Sequence, residues 1–234
     1  MVRTCDRIDT ADRAARTVVT YIEVVMDEAI AVEPLRQNDP AGFDALWRIY
    51  EESITGSERK GRAALRRMLD RPEYRFLVAR KDVGICGFAV VYRSPAEPFE
   101  LLEYLAVGTE LRGRGVGGRL FGATAAELGD RALLVEVDSP RADSPDFHAC
   151  TLRERFYRRL GCLRVDGVTY ILPLPGAPPA MDLMLYRRRP APSIACDELR
   201  RWIEEVFDRV YARPRDDARI EEMLSGVPEL IRLR

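Results

Sequence analysis

The sequence predicts an α/β domain on a mixed sheet, followed by a C-terminal helical extension. Three observations predict it. Strand-like and helix-like patterns alternate through residues 43–186. A loop rich in glycine and arginine stands between a strand-length apolar run and a helix. A long amphipathic stripe follows the break Pro190-Ala191-Pro192. The 234 residues suit one generous domain, and 47% hydrophobic with 32% charged residues is a globular composition.

Residues 1–29 are assigned to an N-terminal extension. Its apolar stretch Val18 to Met26 is interrupted by Glu23 and lacks a signal-peptide cleavage pattern. Met26 offers an alternative start, which would make residues 1–25 mis-assigned translation. The main domain is assigned to residues 30–189. Phe43 to Glu52 and Ala63 to Leu69 have helical spacing, with the polar loop Ser53 to Lys60 between them. Arg75 to Arg80 and Ile85 to Tyr92 flank Lys81-Asp82-Val83-Gly84 and predict a hairpin. Leu101 to Val107 reads as a strand, Val116 to Leu128 as a helix and Leu133 to Val137 as a strand. After the polar stretch Asp138 to Asp146, a helix from Phe147 to Leu160 is stopped by Gly161. Tyr170 to Leu174 and Asp182 to Tyr186 predict a closing pair of strands around Pro175 to Pro179. In the extension, residues 190–234, the stripe Leu199, Trp202, Ile203, Val206, Phe207, Val210, Tyr211 defines a helix with Asp197 as its N-cap. Asp216 to Leu224 predicts a shorter helix. So apolar a stripe must dock, either on its own domain or on a second copy in a homodimer.

Composition excludes several function classes. A net charge of -1 gives no global field for nucleic acid or an acidic membrane surface. No run approaches the roughly 18 apolar residues of a membrane span. Five scattered cysteines without a Cys-x-x-Cys argue against a disulfide framework and for a reducing cytoplasm. His148 is the single histidine, so no His-rich metal site is expected. Lysine occurs only at Lys60 and Lys81, with arginine otherwise, which we read as a GC-rich bacterial genome.

The loop Arg112-Gly113-Arg114-Gly115-Val116-Gly117-Gly118 carries the chemistry. A helix start exposes unpaired N–H groups and the positive end of its dipole. Glycines let a phosphate approach the backbone, and Arg112, Arg114 and Arg119 add positive charge. A pyrophosphate is the natural guest. A P-loop is excluded, because no Gly-Lys-Ser/Thr precedes the helix. The spacing Gly113-x-Gly115-x-x-Gly118, with Asp138 ending the next strand, also matches a dinucleotide fingerprint. That alternative, a nicotinamide-dependent oxidoreductase, needs several successive βα units. Here one helix is followed by a strand pair.

A second pattern in the same residues points elsewhere. Leu105-Ala106-Val107 followed by Arg112-x-x-Gly115-x-Gly117 resembles the signature of the GCN5-related N-acetyltransferase (GNAT) family. The order of elements supports it, as does Phe156-Tyr157-Arg158-Arg159-Leu160-Gly161-Cys162, which resembles the family's Phe-Tyr-x-x-x-Gly-Phe block. The resemblance spans about Ala31 to Arg187. It implies a mixed, mostly antiparallel sheet flanked by helices, splayed between the strands at 101–107 and 133–137. In that reading a pantetheine arm lies along Leu105, Ala106 and Val107, and the backbone of Arg112 to Gly118 holds the pyrophosphate of acetyl-CoA. Three departures stand out. Cys150 replaces a cofactor-contacting Asn, Cys162 replaces the Phe after Gly161, and the stretch from Glu136 to Tyr157 is long.

Acylation of an amine needs a group to take its proton and a donor to the departing thiolate. By resemblance Tyr157 is the candidate donor, a phenol whose ordinary pKa of about 10 suits a thiolate. Glu136 interrupts an apolar strand and resembles the glutamate that some members use as a base. Glu103, on the neighbouring strand, is the second choice. The function expected is transfer of acetyl from acetyl-CoA to a primary amine of a small molecule. A non-catalytic acyl-CoA-binding module is the other reading.

Overall fold

The computed structural model describes residues 30–54, 56–82, 84–140, 146–175 and 181–234. The proposed N-terminal extension, with Val18 to Met26 and the alternative start, lies outside the described residues. So do Val83 of the hairpin turn, part of the polar stretch after Asp138, and 176–180 of the Pro/Gly-rich segment.

Seven strands form one sheet in the order β1-β2-β3-β4-β5-β7-β6. They are β1 (Ile30–Pro34), β2 (Tyr74–Lys81), β3 (Gly84–Arg93), β4 (Phe99–Val107), β5 (Ala132–Asp138), β6 (Leu163–Arg164) and β7 (Met181–Tyr186). Every neighbouring pair is antiparallel except β4 with β5. One parallel pair does not make the successive βα units of a dinucleotide fold. The edge strand β1 is too short and half-exposed for its alternation to register in the sequence.

The sheet has a core on each face. On one face pack α1 (Pro40–Ser53) and α2 (Arg62–Leu69), joined by the C-terminal helices α5 (Cys196–Arg209) and α6 (Ala218–Leu224). On the other pack α3 (Val116–Ala126) and α4 (Phe147–Arg159). Helix α1 starts three residues before the predicted Phe43. The Asp39 carboxylate accepts from the Gly42 N–H at 2.7 Å, and Pro40 sits in the first turn where no N–H is needed.

Two expectations are corrected. Tyr170 to Leu174 makes no strand: Tyr170 forms one isolated bridge to Met181, while Pro173 lacks the N–H that a ladder requires. β7 instead pairs with β5 and β6. Asp197 is not an N-cap, because α5 already begins at Cys196. Asp197 and Glu198 lie in its first turn, favourable for its dipole. Its start is fixed by β8 (Ser193–Ala195) pairing with β9 (Leu230–Arg232), so the extension is not purely helical.

The stripe of α5 docks in cis. Trp202, Ile203, Val206 and Phe207 are fully buried, and Trp202 stacks on Phe99 of β4 at 5.2 Å. The Tyr92 hydroxyl donates to the buried Glu205 carboxylate at 2.9 Å, tying α5 to β3.

Candidate active site

β4 and β5 pair only from Phe99 with Ala132 to Leu102 with Val135. Beyond that point they diverge, leaving the β5-facing backbone of residues 103–107 unpaired by the ladder. The split coincides with a β-bulge. Val90 pairs Tyr104 while Val91 pairs Leu102, so Glu103 is the extra residue. The bulge breaks the alternation of β4 at the mouth of the opening. Glu136, paired to Leu183 on its far side, is the first residue of β5 past the split.

On the α3 face the split meets the glycine loop. After the short turn Thr109–Leu111, Gly113 and Gly115 adopt φ of +78° and +80°. That left-handed geometry costs a residue with a Cβ about 1–2 kcal/mol, which is why glycine suits both positions. Gly115 then caps α3. The first-turn amides of Val116, Gly117 and Gly118 have no helical acceptor. A Cβ on Gly117 would come within 3.3 Å of the Phe156 ring, so α4 lies close over the loop. Together Leu105, Val107, Leu111, Arg112 to Gly118 without Arg114, and Phe156, Arg159 and Leu160 border a cleft of about 450 Å³. Ala106 faces the other core. The Arg112 guanidinium donates to the Val107 carbonyl at 3.1 Å and so pins the loop to the end of β4. Arg112 and Arg114 also spend their amides within the loop. Arg114 and Arg119 are exposed.

On the opposite face a second cavity of about 260 Å³ borders the same split. It is lined by Glu58, Lys60, Glu103, Tyr104, Glu136 and Tyr211, with Leu172, Leu174, Met181 and Val210 among its apolar walls. Glu103 has a side chain only 3% exposed and pairs with the Lys60 ammonium at 2.7 Å. That ammonium also lies 5.6 Å from the Tyr104 ring and 5.7 Å from the Tyr211 ring. Glu136 accepts from the Tyr211 hydroxyl at 2.5 Å. Burial drives its pKa up to about 7; Tyr170, Tyr211 and Lys60 pull against that shift, and Glu103 adds to it. The carboxylate therefore exchanges its proton near neutral pH. Burial also raises Glu58, with Arg153 opposing.

The structure thus brings Glu103 and Glu136 together in one cavity and sets the glycine loop across the sheet from them. Tyr157 lies on the loop's side, 7% exposed, its ring 5.0 Å from Phe156 and 6.1 Å from Phe121. Burial holds its phenol well above the ordinary range, with Cys162 adding to the shift and Arg153 opposing it, so it stays protonated. It lines neither cavity. Cys150 is buried on the same helix, α4, and His148 is exposed.

Sequence reasoning missed Lys60, Tyr104 and Tyr211 as cavity groups. Lys60 sits in a polar loop, and Tyr211 continues an apolar stripe that reads as core. One signal was available: Lys60 is one of only two lysines in an arginine-rich chain.

Residues 72–161 match the family model of the acetyltransferase (GNAT) domain. Among curated proteins no sequence matches the chain. Solved structures do. A putative GNAT-family acetyltransferase from Bacteroides thetaiotaomicron is similar with a TM-score of 0.64 and 21% identity, covering 77% of this chain and 98% of that one. The aminoglycoside 6'-N-acetyltransferase from Enterococcus faecium is similar at 0.54 and 16% identity, covering 69% and 99%. The ribosomal-protein-S18-alanine N-acetyltransferase from Escherichia coli is similar at 0.51 and 16% identity, covering 69% and 96%. At such identities the likeness concerns the fold. Among the described residues no helix is long and apolar enough to cross a membrane.

Proposed function

We propose, from the match of residues 72–161 to the GNAT acetyltransferase domain, that the chain transfers acetyl from acetyl-CoA to the primary amine of a small molecule. One observation carries the reading: a phosphate-ready loop and an acid-lined cavity border the same split in the sheet, on opposite faces. A thioester threaded through the split would present its carbonyl between the two.

The steps follow from the residues. The loop backbone from Arg112 to Gly118 holds the pyrophosphate, and the unpaired edge of β4 at Leu105, Ala106 and Val107 guides the pantetheine arm. A small ammonium enters beside Glu58 and Glu136, while the Lys60 ammonium offsets the charge of Glu103. Glu136 takes the ammonium's proton, the neutral amine nitrogen attacks the thioester carbonyl, and the C–S bond breaks as the amide forms. Tyr157 supplies a proton to the departing thiolate and regains one as the acylated nitrogen sheds its second proton, with Glu103 the alternative to Glu136 as base. Holding the two reactants together supplies much of the rate. The enzyme would work in the cytoplasm of a bacterium.

The cavity volume of about 260 Å³ favours a compact amine over a protein terminus. Thiol release from acetyl-CoA, measured with a panel of small amines and short peptides, tests the reading. Acceptor-dependent release with small amines is expected. CoA binding without release for any amine would overturn it in favour of a binding module.

A further inference from the structure

Glu136 is held unevenly. Its Oε2 accepts the Tyr211 hydroxyl at 2.5 Å, from a residue 75 positions later in the chain. Its Oε1 is buried and accepts no hydrogen bond from the described residues. The Tyr170 hydroxyl, also buried, is near enough to favour the ionised carboxylate but makes no hydrogen bond of normal geometry. Tyr170 is therefore a loose second partner of the carboxyl group, one that a group entering the cavity can displace. Tyr211 itself is anchored by α5, its ring 6.5 Å from the fully buried Phe207.

We propose that Tyr211 is a positioning residue for acyl transfer: its O–H fixes the Glu136 carboxylate through Oε2 and leaves Oε1 as the oxygen that receives the acceptor's proton. This rests on the reading of Glu136 as the base. It makes a segment beyond residues 72–161 part of the site.

The groups facing Glu136 define what Tyr211 does to it. From the loop before α2 comes the Lys60 ammonium, from β4 the Glu103 carboxylate, from the segment before β7 the Tyr170 phenol. Glu58 and Arg59 line the same cavity. On β7, Asp182 pairs with Val137 and so faces the other side of the sheet. A hydrogen bond donated to a carboxylate favours its ionised form. Tyr211 therefore keeps Glu136 available as a base at a lower pH than burial alone would allow.

The test is Tyr211→Phe, which keeps the ring and deletes the hydroxyl. The carboxyl stretch of Glu136, followed by infrared difference spectroscopy across pH and assigned with Glu136→Gln, should titrate about one pH unit higher in the variant. A shift of that size is about tenfold in kcat/KM at the acidic end, converging with wild type at alkaline pH. Measured in a Glu136→Gln background, the same substitution should have no further effect on kcat/KM. That cycle also answers if Tyr211→Phe weakens the fold, because a structural loss would persist there. An unshifted carboxyl titration, or an undiminished effect without Glu136, overturns the proposal. A shifted titration with an unmoved pH–rate limb supports the Tyr211–Glu136 coupling and rejects Glu136 as the base.

Discussion

With Glu136 as the proposed base, activity and stability should run against each other over the same range of pH. In the unfolded chain its carboxyl ionises near 4.5, and in the fold near 7. Between those values the folded protein keeps a proton that the unfolded chain has released, so this group's contribution to stability falls as pH rises. Below 4.5 both states are neutral and the group contributes nothing. Above about 7 the loss is complete. Glu136→Gln never ionises, so its stability relative to wild type should improve from pH 4.5 to 7 and level off beyond. At about 1.4 kcal/mol per unit, discounted for its partial exposure, the change is roughly 1–3 kcal/mol. Urea denaturation at several pH values measures it. Activity should run the other way: the wild-type acidic limb should lie near pH 7, and Glu136→Gln should lose it. Tyr157 is simpler. Its buried phenol stays protonated at working pH, so Tyr157→Phe should keep CoA affinity and lose about 10²-fold or more in turnover, the usual loss for a general acid. Steady-state kinetics beside calorimetry separate the two effects. That Glu103 and Glu136 face a cavity was legible because an ionisable group inside an apolar strand demands a partner or a cavity. Tyr211 was not, since at helical spacing a tyrosine that supplies a hydroxyl looks the same as one that fills a core.

Elements read well where their pattern was self-sufficient. The hairpin β2–β3, helix α3 and the stripe of α5 each announce themselves by period and punctuation. What the sequence hid are features that depend on a partner: the edge strand β1, the ladder β8–β9 and the bulge at Glu103. The bulge matters most, because it lies where the β4–β5 ladder ends and the sheet opens. At the loop before α3, Gly115 has room for a side chain, since no atom lies within 4 Å of where its Cβ would stand, but its φ of +80° disfavours most residues. Aspartate tolerates that region better than most. Gly115→Asp should therefore fold, while its carboxylate meets the pyrophosphate at the positive end of α3. CoA binding is expected to vanish in calorimetry with the thermal transition nearly intact. Retained binding would remove the pyrophosphate from this loop.

Across the whole molecule, the C-terminal segment is an integral part of the core on one face of the sheet. Trp202 is fully buried between α5 and the sheet, with Phe99 stacked on it. Trp202→Ala should cost about 3–5 kcal/mol, the range for deleting a buried aromatic. Denaturation followed by far-ultraviolet circular dichroism and by fluorescence of Trp47 should show one coincident transition at lower midpoint. Two separated transitions would mean that α5 is a detachable strap. The family-like part of the chain, residues 72–161, contains Glu103 and Glu136 but not the phenol that holds the latter.

The distance along the chain between Glu136 and Tyr211 has a consequence for birth of the protein on the ribosome. At roughly 5–20 residues per second, the 75 residues between them take on the order of 4–15 s to synthesise. Through that interval the glycine loop has already been made, yet the sheet face that Trp202 will cover is bare and Tyr211 has not yet reached Glu136. Phe99 waits for the ring of Trp202 and Tyr92 for the carboxylate of Glu205 until α5 arrives, a window in which a chaperone has something to hold.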